Sequence, residues 1–165
     1  MVTHHTSRQA IEWVFLLHRL PREPSAPRLA LWRALRRLGA QILGDGLAAL
    51  PAQPRTIEHM QWLAAGLAEH SGSGSVWVAR PATRREGEAL VAQSREGVEG
   101  EYQALLADTA DAADEAGPAR QRTIRRLRRQ LHLIGGRDFF GAPSAARTRR
   151  AIDALAAADQ TVLTR

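Results

Sequence analysis

The stretch Pro118–Pro143, PARQRTIRRLRRQLHLIGGRDFFGAP, carries the densest charge in the chain and determines how its second half folds. Its apolar residues recur at three- and four-residue steps, so they share one face of a helix. These residues are Ile124, Leu127, Leu131 and Ile134. The opposite face carries Arg122, Arg125, Arg126 and Arg129. Gly135-Gly136 then predicts the end of the helix, because glycine readily takes the left-handed conformation of a helix cap.

A compact turn follows this helix and contains two aromatic residues and one pair of opposite charges. Its residues are Arg137, Asp138, Phe139, Phe140 and Gly141. We expect Arg137 and Asp138 to form an ion pair that fixes the turn, rather than a catalytic pair, because a helix end offers unpaired backbone groups as partners. Pro143-Ser144 then predicts a final helix to about residue 158, which buries Ile152 and Leu155.

Residues 11–81 alternate between strand and helix patterns. We first expect a buried central strand at 11–20, followed by a helix from Pro24 to Leu38 that Gly39 caps. Two strands at 40–51 then form a hairpin around Gly44-Asp45-Gly46. A helix from Thr56 to His70 and a strand at 75–80 complete this part of the chain. This order predicts an α+β domain with the ferredoxin-like βαββαβ arrangement, in which both helices cover one face of the sheet. The other face needs a cover, which the rest of the chain or a second copy would supply.

The pattern from residue 82 onward is helical. We expect a long helix at 84–116 that is irregular at Gly87, Gly97 and Gly100 and buries Val98, Tyr102, Leu105 and Thr109. Its second half is acidic and would lie beside the basic helix in an antiparallel hairpin. The predicted organisation is therefore a flexible tail at 1–10, a ferredoxin-like domain at 11–81, and an α-helical extension at 82–165 made of the hairpin and a C-terminal helix.

Composition narrows the classes of function. The 165 residues include no cysteine, which excludes thiol redox chemistry, disulfides and iron–sulfur ligation. No apolar run approaches the roughly 18 residues of a membrane span, and no signal peptide is recognisable, so we expect a cytoplasmic protein without a membrane partner. All 23 basic residues are arginine and the net charge is +6, which favours phosphate or another oxyanion as a partner.

Four segments carry a family resemblance. They are RRLRRQLHLIGGRDFFGAPSAA at 125–146, WVFLLHRLP at 13–21, REPSAPRLALWRALRRLG at 22–39 and EYQALL at 101–106. Together they resemble the amino-terminal region of the ChrB family of chromate-resistance proteins, over about residues 12–160. The resemblance implies a chromate-responsive regulator of a chromate efflux gene.

The chain departs from this family at several points. Long members carry a second, C-terminal domain, and we expect the present sequence to correspond to the first region alone, without the sensing of chromate if sensing belongs to the second domain. His18 stands where such segments often have tyrosine, and the family's aromatic-rich second hairpin strand is GLAAL here, at 46–50.

Two arginine faces are the candidate binding residues for DNA or an oxyanion, because the guanidinium fork matches phosphate oxygens. The first face, on the helix at 24–38 beside Trp32, comprises Arg28, Arg33, Arg36 and Arg37. The second comprises Arg122, Arg125, Arg126 and Arg129. The alternative to binding differs between the two faces. The first face would be a merely solvated surface, and the arginines of the second would pair with Asp108, Asp111 and Glu115 of the hairpin. Arginines outnumber these carboxylates, so we expect positive charge to remain.

No catalytic or metal-binding pattern stands out, and we expect neither a cofactor nor enzymatic activity. Glu12, Glu23 and Asp45 do not form the carboxylate cluster that a two-metal nuclease needs. The histidines lack metal-binding spacing. His4-His5 could bind a metal, but a disordered terminus is the simpler interpretation. Trp62 falls outside the apolar stripe of its helix, so we expect the C-terminal helices to cover it, with an exposed partner site as the alternative.

Three hypotheses about function follow. The first is a regulatory binding module, a homodimer that contacts DNA through its arginine faces and responds to chromate stress. The second is an enzyme, either a metal-dependent nuclease of ferredoxin-like type or a chromate-acting oxidoreductase. The lack of cysteine, of a carboxylate cluster and of a dinucleotide fingerprint argues against it. The third is a non-catalytic scaffold that dimerises or binds an oxyanion.

Overall fold

A computed structural model describes the backbone of residues 11–163 and the side chains of residues 11–158. The tail predicted at 1–10, with His4-His5, lies outside the described residues. The elements are β1 (Trp13–Arg19), α1 (Ala26–Leu38), β2 (Gln41–Gly44), β3 (Leu47–Pro51), α2 (Pro54–Gly66), β4 (Ser73–Ala79), α3 (Arg84–Asp111), α4 (Gly117–Gly135) and α5 (Ala145–Leu163). The predicted α+β class is confirmed, with all four described strands before residue 82 and three helices after it.

The sheet is antiparallel throughout, with the strand order β2-β3-β1-β4. The apolar run of β1 is paired on both sides, so its predicted central place is confirmed. Val14 and Leu16 are fully buried on one face of the strand. Phe15 and Leu17 belong to the opposite face, because successive side chains of a strand alternate.

The hairpin turn closes onto the end of β1. The His18 amide donates a 2.7 Å hydrogen bond to the carbonyl of Gly46. Gly46 has a φ of +87°, and a Cβ on it would lie 2.4 Å from the His18 carbonyl oxygen. Only glycine therefore fits the turn, and the prediction of a hairpin at this point is confirmed.

The sequence predicted the residue that caps the end of α1 correctly, but not the residue that caps the start of α2. Gly39 caps α1 in the left-handed conformation, with φ +77°, as predicted. The predicted cap of α2 at Thr56 is wrong by three residues, because the helix begins after Gln53. The buried Thr56 hydroxyl accepts from the Gln53 amide at 2.9 Å and donates to the Pro51 carbonyl at 2.6 Å. Thr56 thus joins the end of β3 to α2.

Helix α3 is continuous from Arg84 to Asp111, so the irregularities predicted at its glycines are wrong. Its start is fixed by Thr83, whose hydroxyl accepts from the Glu86 amide while the Glu86 carboxylate accepts from the Thr83 amide at 2.9 Å. This is a capping box. The chain divides into two compact units between Ala92 and Gln93, inside α3. None of the helices described combines the length and apolarity that a bilayer crossing requires.

The second unit has its own apolar core. The buried residues of its three helices include Val98, Tyr102, Leu105, Thr109, Ile124, Leu127, Ile134, Ile152 and Leu155. The apolar stripes predicted for α3 and α5 are therefore confirmed, and in α4 only Leu131 is half-buried. The left-handed cap predicted after α4 is wrong, because Gly136 has a φ of −66°. The left-handed residue comes later, at Gly141, with φ +70°.

We predict that Gly46→Ala lowers the free energy of unfolding of the first unit by about 2 kcal/mol, because the new Cβ meets the His18 carbonyl and the backbone is held at positive φ. Urea unfolding followed by tryptophan fluorescence measures this unit, since all four tryptophans precede residue 93.

Gly44→Ala is the matched control, because a Cβ there meets no atom within 4 Å. Its effect should stay within about 0.5 kcal/mol. Equal losses in the two variants would refute the role of the Gly46 contact.

Candidate functional site

The α1 arginine surface comprises Arg28, Arg33, Arg36 and Arg37, and all four side chains are exposed. Burial of Leu31 and Leu35 turns this side of α1 to solvent. The guanidinium carbon of Arg36 lies 5.1 Å from the centroid of the exposed Trp32 ring, a cation–π contact. Among residues 11–158, no carboxylate forms an ion pair with these arginines. The surface therefore carries four uncompensated charges.

The α4 arginine surface comprises Arg122, Arg125, Arg126 and Arg129, again all exposed. Arg126 forms a 2.9 Å ion pair with Asp108, which joins α4 to the acidic end of α3. The other three arginines pair with no carboxylate of the described part of the chain. Only one of these four arginines, Arg126, is thus neutralised by a carboxylate of the hairpin.

The two surfaces belong to different compact units, α1 to the first and α4 to the second. Within each unit the helical spacing brings its arginines together. Residues three and four apart on a helix are neighbours, so Arg33, Arg36 and Arg37 form one cluster, and Arg122, Arg125 and Arg129 form another.

The turn after α4 is held by α3 rather than by its own charges. Arg137 donates two hydrogen bonds to the Glu101 carboxylate, so the predicted Arg137–Asp138 ion pair is wrong. The Asp138 carboxylate instead accepts from the Ala142 amide at 3.0 Å. Burial, and then the charge and hydrogen bond of Asp138, raise the pKa of Tyr102. Arg137 and Asp138 thus each bond to a residue other than their neighbour in the sequence.

Two further residues of α3 complete this attachment, and sequence reasoning missed both. Glu99 accepts from the amide and the hydroxyl of Ser144, immediately before α5. These bonds lower the pKa of Glu99. The Arg95 guanidinium donates to the Phe140 carbonyl at 3.1 Å. The missed signal is the spacing of three and four residues between Arg95, Glu99 and Tyr102, which places them on one side of α3.

An open groove of about 440 Å³ lies among the three helices of the second unit. It is lined by Leu106, Thr109, Ala110, Ala113, Arg120, Arg147, Ala151, Leu155 and Ala158. Arg120 donates from Nη2 to the Ala113 carbonyl at 2.8 Å, while its buried Nε has no hydrogen-bond partner in the described part of the chain. The groove is apolar with two cationic groups, and nothing in the sequence pattern predicted it.

Several large apolar side chains are exposed. Trp62 is 74% exposed. Trp77 and Leu17 are 63% and 53% exposed. Both belong to the sheet face opposite Val14, because Phe15 pairs with Trp77 across the strands and Leu17 with Ser75.

The histidine and acidic residues considered as metal ligands do not come together as a metal site in the described part of the chain. Among the described residues, no group of three or more histidine, aspartate or glutamate side chains could hold a metal ion. His18 is half-buried at the end of β1, and burial lowers its pKa. The Asp45-Gly46 turn joins two strands, so the hairpin interpretation of Gly44-Asp45-Gly46, as opposed to a phosphate loop, is confirmed.

Comparison with known proteins gives two matches. Residues 28–117 match the protein family described as "Protein ChrB, N-terminal". Protein ChrB of Cupriavidus metallidurans is 33% identical over 141 residues, an alignment that covers 82% of this chain and 42% of that protein. The chain thus spans less than half the length of this relative. No solved structure matches the chain.

We predict that Glu99→Gln lowers the urea midpoint of the second unit at pH 7, because the carboxylate that caps Ser144 is lost. Since folding depresses the pKa of Glu99, its contribution is fully present above the ordinary value of 4.5 and disappears as the pH falls through the lower folded value. The difference from wild type, followed by circular dichroism at 222 nm, should therefore vanish in acid.

Glu96→Gln, an exposed glutamate one turn earlier on α3, is the control and should match wild type at both pH values. A pH-independent deficit in Glu99→Gln would contradict the role of its charge.

Proposed function

Because the chain belongs to the ChrB N-terminal family, we propose that it is a regulatory binding module of the chromate response that binds duplex DNA through its arginine surfaces. We further infer that residues 11–81 have the ferredoxin-like fold, which the order of elements and the sheet order β2-β3-β1-β4 support. One observation carries the DNA proposal. It is the set of seven exposed arginines without a carboxylate partner in the described chain, Arg28, Arg33, Arg36, Arg37, Arg122, Arg125 and Arg129.

The physical basis is phosphate neutralisation. Each arginine that contacts a phosphate releases a condensed counterion, so the affinity falls linearly with salt on logarithmic axes. Such contacts position a protein on DNA without reading its sequence. An arginine already paired with a carboxylate gains less, because the phosphate has to displace the existing partner. Arg126, held by Asp108 at 2.9 Å, is therefore the weakest contributor among the eight.

We propose that this module is not an enzyme. The α1 surface offers cations and an indole ring but no nucleophile or general base between Arg28 and Arg37. Binding, rather than chemistry, is what such a surface supports.

A response to chromate requires an oxyanion site, and the groove beside Arg120 favours one. The buried Nε–H of Arg120 is a donor that lacks a partner within the described residues, and Arg147 adds a second guanidinium to the lining. An unpaired buried donor costs free energy until an acceptor arrives, so a small oxyanion would gain a strong, charge-assisted hydrogen bond there. This proposal gives the chain both a DNA surface and a sensing site.

We also propose that the protein is a homodimer. Trp77 and Val78 leave apolar area exposed on β4, the strand at one edge of the sheet, and a second copy packed against that edge would remove part of it from water.

We predict that Arg120→Lys weakens chromate binding at least tenfold in titration calorimetry at low salt, because lysine keeps the charge but cannot place an N–H at the Nε position. Arg128→Lys, on the exposed side of the same helix, should bind as wild type does. Sulfate, with the same shape and charge, should compete. Unchanged affinity in Arg120→Lys would exclude the groove as the site.

Three triple variants test the DNA proposal, and each removes three exposed arginines. They are Arg33/Arg36/Arg37→Ala on α1, Arg122/Arg125/Arg129→Ala on α4, and Arg55/Arg149/Arg150→Ala as a control of equal charge outside the proposed sites. The α1 and α4 variants should each reduce the salt slope of promoter binding by up to about 2.7 units, at about 0.9 per phosphate contact. The control variant should keep the wild-type slope.

Binding is measured by fluorescence anisotropy with the protein's own promoter between 50 and 200 mM salt, a range on the order of that used for such slopes. Equal reductions in all three variants would mean that net charge alone drives binding. Absence of binding by wild type at low salt would reject the DNA proposal and leave the oxyanion-binding scaffold.

A further inference from the structure

We propose that the outer edge of β4 pairs antiparallel with β4 of a second copy, so that two four-stranded sheets form one sheet of eight strands. This inference rests on the proposed homodimer and names its interface. The two edges of the sheet, formed by β2 and β4, differ in how well they can pair with another strand.

The edge formed by β2 is poorly suited to pairing. That strand has four residues, and its register against β3 is broken between Ile42 and Gly44. Short edges and bulges are devices that prevent a sheet from accepting another strand. The edge formed by β4 has neither device. All seven of its residues are in regular register with β1, from Ser73 opposite Arg19 to Ala79 opposite Trp13.

The composition of β4 points the same way. Residues 71–79, SGSGSVWVA, contain no charge and no proline, although a quarter of the chain is charged. Charges and prolines on the edge strand itself are the other devices that protect an edge, and here Arg80 and Pro81 come only after Ala79, the last residue of β4. Exposed apolar groups take their place, since Val78 is 48% exposed and Trp77 is 63% exposed.

Charge also favours a second copy as the occupant. The chain carries a net charge of +6, so two copies repel each other wherever their arginine surfaces approach. The uncharged run at 71–79 is a long strand edge where this repulsion is smallest. An antiparallel strand pair is also self-complementary, because one strand can face its own copy across a two-fold axis.

The register follows from the pleat. Residues directly opposite in an antiparallel pair share a face of the sheet. A two-fold axis through Val76, the middle residue of Ser73–Ala79, pairs all seven residues, with Ser75 opposite Trp77 of the second copy. The two Trp77 side chains then lie diagonally across the axis on one face, within reach of each other. Beside them, Leu17 of each copy extends the same apolar surface.

Solution mass tests whether this edge is used. By light scattering at micromolar concentration, wild type should have twice the 18.1 kDa of one chain. Val78→Lys should give a monomer, because a charge on the edge strand opposes pairing. Ile42→Lys is the matched control, since Ile42 is an apolar residue of the other edge strand with a similar exposure of 40%. It should stay dimeric.

Cross-linking tests the register. The chain has no cysteine, so Val76→Cys introduces a single thiol. Across the proposed axis this thiol faces its own copy, and mild oxidation should convert most of the protein to a covalent dimer. Ile42→Cys should remain uncross-linked under the same conditions.

The outcomes separate the interface from the homodimer itself. A monomeric wild type overturns both proposals and leaves the β4 edge for a strand of another protein. A dimer that survives Val78→Lys, or in which Val76→Cys fails to cross-link, overturns the β4 interface alone. DNA binding is measured separately, so its failure would leave these results unchanged.

Discussion

Two carboxylates of α3, Glu99 and Glu101, fix the segment between the end of α4 and the start of α5. Glu101 holds Arg137 just after α4, and Glu99 holds Ser144 just before α5. The six residues between these anchors can therefore adopt only conformations that fit α3. The Arg137 side chain is mostly covered, and a planar guanidinium that meets a carboxylate with two bonds suits this position better than lysine would. The helical unit depends on this attachment.

This dependence explains how the arginines are divided between structure and surface. Four arginines of the second unit bond to other parts of that unit: Arg95 and Arg120 donate to backbone oxygens, and Arg126 and Arg137 to acidic side chains. The outer side of α4 lies beyond the reach of the acidic stretch, so the positive charge there is not compensated by the hairpin. Uncompensated charge on a folded surface is costly through self-repulsion, and a polyanion relieves that cost. One side of α4 thus pairs with α3, and the other side forms the proposed binding surface.

The sequence predicted what depends on local periodicity. A repeat of 3.6 residues decides which side of a helix is buried, so Val98, Ile124, Leu127 and Ile152 could be assigned without knowledge of their neighbours. The nearly continuous apolar run of β1 predicted its central place, because a central strand is buried on both faces. The predicted ends of elements are less accurate. Thr56 has a side chain that suits a helix cap, but its hydroxyl is used at the third residue of α2.

What failed was the choice of distant partners. Arg137 stands next to Asp138 in the sequence, yet it pairs with Glu101, thirty-six residues away. The spacing of charges along the chain does not reveal which helix will pack alongside, and only that packing brings Glu101 within reach. The groove beside Arg120 also exists only once three helices have assembled.

The two proposed properties, a sheet-edge dimer and an arginine surface, strengthen each other on a long polyanion. One α1 surface offers four cations, and phosphate contacts of that number are readily lost as salt rises. A two-fold dimer presents the surface twice on one rigid sheet, so that the second set binds at a high effective concentration once the first has engaged. Two-fold symmetry in the protein would also favour a DNA site with matching symmetry. Because β4 itself carries no charge, dimerisation through this strand uses none of the arginines that would bind the polyanion. The neutral edge and the charged helices can therefore act together without competing for the same residues.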